Sequence, residues 1–311
     1  MTLKQNIKIW VSVTIITLTV LTAELIGNYE IIFPEIAALA AGALVADKQP
    51  WEVSRIKMLV LMSVLAFVGY GLSAFVDIPL FFKIIIGFLL CASMLLCTRC
   101  TIFPIISACI LPVLMHTESL YYPVSVIIMT AIIVFVQWLF EKYKLNIPRK
   151  HTPVIYEKKT EFLRWIFLLI ALASVAAVAT GFNISFIIAP PLIVTLCEFS
   201  YTDSKARKKP LTIFFMISLF ACMGAFARLV ICQTFHLPIT FAVFIVTAAV
   251  MYISVLLKVI FPPACAVALL PFIINSEMLF VYPLEIIIGS AVFITLSMLF
   301  GKFIEKRRNP L

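Results

Sequence analysis

Pro34, Pro104, Pro190-Pro191 and Pro262-Pro263 open four apolar stretches of this sequence, and they constrain its chemistry more than any other residues. A proline lacks the backbone N–H and bars regular helix just before itself, so each leaves unmatched carbonyls behind. Inside a bilayer such backbone survives only when it is buried in protein or lines a cavity. The helix starts that follow carry partial positive charge and free N–H groups, which suit an anion. Ionisable residues stand nearby. Arg228, inside an apolar run, is placed either to hold an anion, to pair with Glu24, Glu35 or Glu285, or to snorkel to the outer interface. Glu35 and Glu198 follow the prolines, where a buried carboxylate either carries protons or pairs structurally. The expected substrate-binding set is therefore Pro262, Pro263, Pro190 and Pro191, with Arg228, Pro34, Pro104 and Glu35 beside them.

Other chemistry has little to build on. There is no serine–histidine–acid set, HExxH, phosphate-binding loop or dinucleotide fingerprint at a usable spacing, so no enzyme activity is expected. The three histidines and Cys97-Thr98-Arg99-Cys100, a CxxC without a second pair, make no metal site, and no cofactor is implied. Most of the remaining cysteines fall within apolar runs as small hydrophobes.

The elements that position these residues belong in a membrane. Of the 311 residues 63% are hydrophobic and 13% charged, with mean hydropathy +1.14, against roughly 45–50% and 25% in a soluble domain. The net charge of +9 does not indicate nucleic acid, because the charges lie in breaks between apolar runs. The partner implied is the lipid bilayer.

Twelve apolar segments can be drawn, at 7–26, 31–47, 57–76, 79–97, 101–116, 121–141, 161–180, 185–200, 210–230, 237–257, 260–274 and 280–302. Eight are long enough to span ~30 Å as helices, whereas the second, fifth, eighth and eleventh are short and proline-led. If all twelve cross with the N-terminus inside, every Lys and Arg except Lys83 and Arg228 falls on the inner side, as the positive-inside rule requires. Trp10, Trp51, Trp138 and Trp165 then mark the inner interface, and Tyr29, Tyr121, Tyr122 and Tyr282 the outer one. The chain is expected in the cell membrane with both termini cytoplasmic.

The linker around 145–160 separates residues 1–144 from 161–311, and the two parts repeat. Phe103-Pro104 recurs as Phe261-Pro262, Leu111-Pro112 as Leu270-Pro271, Tyr122-Pro123 as Tyr282-Pro283, and Asp47 as Asp203. Six crossings per copy is an even number, so the copies are parallel. The fold expected is all-α transmembrane, of twelve membrane segments in two parallel six-segment repeats. Small residues at 37–43 and at Ala264, Ala266 and Ala268 mark close helix packing.

The run Leu257-Lys258-Val259-Ile260-Phe261-Pro262-Pro263-Ala264-Cys265-Ala266-Val267-Ala268-Leu269 resembles the signature of the HPP family of membrane proteins, a His-Pro-Pro followed by a small-residue helix. The resemblance covers about 185–302. The signature histidine is Phe261 here, and the first copy keeps Pro104 but has Ile105 in place of the second proline. Members of that family are linked to nitrite transport, so the resemblance implies transport of a small, nitrite-like inorganic anion. The competing expectation is a membrane component without a translocation path, such as an assembly partner or sensor.

Overall fold

The computed structural model describes residues 2–147, 158–201 and 204–308; most of the linker, and Asp203, lie outside them. Among the described residues there are twelve α-helices and no strand. Eight are long and apolar enough to cross a membrane: α1 (Leu3–Ile26), α3 (Arg55–Ala74), α4 (Leu80–Thr98), α6 (Tyr121–Lys142), α7 (Lys158–Gly181), α9 (Pro210–Ala227), α10 (Ile239–Leu256) and α12 (Tyr282–Arg308). Apolar side chains stand out from their flanks, among them Phe67, Phe82, Phe135, Ile170, Phe215 and Leu299. Large apolar side chains exposed on long apolar helices require lipid rather than water around them, so the chain is a multi-pass membrane protein.

Four short elements complete the set. They are α2 (Glu35–Ala40), prolonged by a π-helical turn over Ala41–Val45, α5 (Pro104–Leu114), α8 (Pro190–Ser200), and α11 (Pro262–Val267), whose apolar stretch ends in a 3-10 turn at Leu270–Phe272. At 1.5 Å per residue each rises ~16 Å, about half the hydrocarbon thickness. Each is entered through backbone outside α-helix, at residues 28–34, 100–103, 184–189 and 259–261, with single 3-10 turns at Tyr29–Ile31 and Ser185–Ile188, because proline bars α-helix on its N-terminal side.

The short helices are wholly inside. Nearly every residue of all four is buried, including Pro34, Pro104, Pro190, Pro191, Pro262 and Pro263. They pack on one another across the middle of the chain, α2 on α11 and α5 on α8. The long helices follow the same scheme: α1 packs on α10 and α4 on α7, while α3 and α9 pack on α5 and α11.

Small residues allow these approaches. A Cβ added to Gly69 of α3 would sit 2.1 Å from the Cys109 carbonyl oxygen of α5, and one on Gly224 of α9 would sit 2.2 Å from that of Ala268. Only a glycine lets backbone meet backbone so closely.

Several of the aromatic expectations are overturned. Trp10, Trp138, Tyr29 and Tyr121 are exposed as interfacial residues should be, but Trp51, Tyr122 and Tyr282 are buried at 1%, 2% and 0% exposure, and Trp165 is buried too. Each is drawn inward by a polar partner. The Trp51 indole donates to Glu198 Oε1 at 3.2 Å, and that of Trp165 to Glu161 at 2.9 Å. The Tyr122 hydroxyl donates to the Ala108 carbonyl at 2.9 Å, and that of Tyr282 to the Val267 carbonyl at 2.6 Å. Pro112 and Pro271 lie four residues after those carbonyls and have no N–H to give them. Each tyrosine therefore supplies the hydrogen bond that a proline removes.

Candidate functional site

The four short helices meet in the interior, and the polar groups there fall into two layers. In the first, Glu35 opens α2 directly after Pro34, whose geometry starts the helix. Its side chain is 1% exposed, and neither carboxyl oxygen has a hydrogen-bond partner. The Glu35 backbone N–H and the Ser107 hydroxyl, on the first turn of α5, lie close to it without closing a hydrogen bond, and Ser107 is itself unpartnered. Phe33 meets the Tyr122 ring edge-on at 6.0 Å, and Phe186 meets Tyr282 in the same way at 5.3 Å.

The second layer lies at the ends of α7 and α8. Arg164, 4% exposed, pairs with Glu161, donates to Ser200 Oγ at 3.2 Å and lies over the rings of Trp165 and Tyr201. Glu161 thus holds both the guanidinium and the Trp165 indole. In the first half, Lys8 of α1 pairs with Asp47, beyond the end of α2, at 3.3 Å. The sequence reading missed this layer. Its signal was present in the spacing, since Glu161, Arg164 and Trp165 lie three and four apart on one helix face.

Of the expected site residues, Pro34 and Glu35 begin α2, which packs on α5, opened by Pro104, and on α11, opened by Pro262 and Pro263. Pro190 and Pro191 open α8, which packs on both α5 and α11. Arg228 lies elsewhere. Its Nη1 donates to the carbonyls of Pro271 and Ile274, where a cation complements the carbonyl end of the short helix. Two of the partners expected for Arg228 have other work. Glu24 accepts from the N–H groups of Ile239, at 2.6 Å, and Thr240, at 3.0 Å, and so caps α10. Glu285 accepts from the Phe186 N–H at 2.7 Å. Glu35 alone of the three has no partner.

The free N–H groups expected at the short helix starts are not free. Ala264 N donates to the Phe261 carbonyl at 3.1 Å, Leu192 N to Ala189 at 2.7 Å, Ile106 N to Phe103 at 2.9 Å and Ala37 N to Pro34 at 3.1 Å. With proline at the first positions, the remaining donors close tight turns onto the entering chain. What the site offers is therefore side-chain chemistry, a carboxyl and a hydroxyl, with the helix dipoles behind them.

A scan against protein-family models matches no family, and searches of the curated proteins and of the solved structures find no match.

Proposed function

We propose that the chain is a transporter of a small inorganic anion, nitrite-like by its resemblance to the HPP family, residing in the cell membrane with both termini cytoplasmic. In this reading twelve segments cross, as two parallel six-segment repeats related by a pseudo-twofold axis along the membrane normal. Recurrence supports the repeat: the paired Tyr122 and Tyr282 hydrogen bonds, the Gly69 and Gly224 approaches, and the matched packing of α1 on α10 and α7 on α4.

The observation that carries the functional reading is the set of four short proline-led helices, two from each half, buried against one another with an unpartnered carboxyl and hydroxyl among them. Broken helices at corresponding places in two halves are where transporters bind substrate, and an unpartnered carboxyl and hydroxyl in an apolar interior otherwise only cost stability. The lipid bilayer is the one partner the structure requires.

The competing reading, a membrane component with no translocation path, is favoured by two observations: the helix-start N–H groups are satisfied, and Arg228 is bound to carbonyls rather than open to a ligand. Uptake of labelled nitrite, nitrate and formate into proteoliposomes separates the two. Saturable uptake above protein-free vesicles is expected; its absence for all three sinks the anion reading.

A further inference from the structure

Among the described residues, four interior carboxyls have a donor: Glu24 from α10, Glu161 from Arg164 and Trp165, Glu198 from Trp51, and Glu285 from Phe186; Glu30 keeps one bare oxygen but is partly exposed. Glu35 has none, and it sits where α2 meets α1, α5, α6 and α11. None of those helices brings a charged side chain to bear on it. The titratable groups near it are the phenols of Tyr122, from α6, and Tyr282, from α12, whose hydroxyls are committed to carbonyls.

We propose that Glu35 is a proton-binding site, carrying one proton per transport cycle together with the anion. A bare carboxylate without a donor or cation is the costliest group a protein interior can hold, and a proton is the smallest thing that neutralises it. The neutral acid gains an O–H donor, and Ser107 Oγ is the unused acceptor beside it. A metal cation fits poorly: Glu35 and Ser107 supply three side-chain oxygens, about half of what a hard cation takes. The proton comes from water on the side to which the site opens and returns to water on the other, so nothing else is consumed.

The closed packing around Glu35 then forms only with the proton bound, which makes the proton obligatory for passage. The site is also single. At the positions matching Glu35 and Ser107, the second half has Pro191 and Cys265, neither of them a carboxyl. One proton per chain follows.

Proton binding itself does not depend on the anion-transport reading, whereas the coupling to anion movement rests on it. Infrared difference spectra of the full chain in lipid nanodiscs test the first. The wild type at neutral pH should show a protonated-carboxyl C=O stretch that Glu35→Gln lacks, while Ser107→Ala keeps the band at a shifted frequency. Identical spectra for wild type and Glu35→Gln overturn the proposal; if Glu35→Gln does not fold, an unshifted band in Ser107→Ala overturns it instead. Nitrite uptake into proteoliposomes tests the second. An inward proton gradient should accelerate wild-type uptake severalfold and leave Glu35→Gln unaccelerated, and equal acceleration of both overturns the coupling. Loss of the band in Glu35→Gln with no wild-type uptake supports the proton site and overturns the transport reading alone.

Discussion

Two tyrosines in the folded chain do work that the sequence placed elsewhere. Tyr122 and Tyr282 read as interfacial anchors because each begins a long apolar helix, yet each reaches inward to the carbonyl that Pro112 or Pro271 abandons. Replacing either by Phe leaves a buried acceptor unmet and should destabilise the protein by about 1–3 kcal/mol, seen as a lower thermal midpoint in detergent. Combining Tyr122→Phe with Pro112→Ala should recover most of that loss, because alanine in place of the proline restores the N–H that the Ala108 carbonyl needs; a double variant no better than the single one would refute the exchange. Gly69→Ala and Gly224→Ala should be harsher, since the new methyl would fall within 2.2 Å of a backbone oxygen and the helices must separate. The pairing of these residues was legible only as a repeated spelling, Leu-Pro followed by Tyr-Pro. Nothing in the spelling says which way a tyrosine turns, because that depends on a carbonyl contributed by another helix.

At the scale of elements, the sequence showed four short proline-led segments among eight long ones, since length and proline position are local properties. It misjudged what the prolines leave behind. With one or two N–H groups missing at a helix start, the next ones close onto the entering backbone, and the expected anion cradle of free donors is spent on turns. Pro262→Ala with Pro263→Ala should let α11 extend backwards by about a turn, adding helical signal by circular dichroism. On the transport reading the same double variant should lose nitrite uptake severalfold at equal membrane insertion. Unchanged uptake would remove the reason for placing the site at these helix starts. Arg228 was equally beyond reach of the sequence, because its partners are the carbonyls of Pro271 and Ile274, created by a helix end 43 and 46 residues away.

For the molecule as a whole, the charge pattern is a statement about sidedness that no set of internal contacts can make. On a cysteine-free background, a single cysteine at Lys208 should react with an impermeant maleimide only after cells are permeabilised, whereas one at Lys83 should react in intact cells. Labelling of position 208 from outside would invert or break the twelve-crossing map. The packing of α2 on α11 and α5 on α8 also bears on ancestry. Each half supplies the cover for the other's buried short helices, so neither is complete alone, and the two expressed as separate polypeptides should assemble when made together. On the proposed repeat, a forebear with a single copy would have needed a twin, and twins made from one gene carry an acid at both equivalent places or at neither. On that reading, joining the copies into one reading frame frees position 35 to hold glutamate while position 191 holds proline.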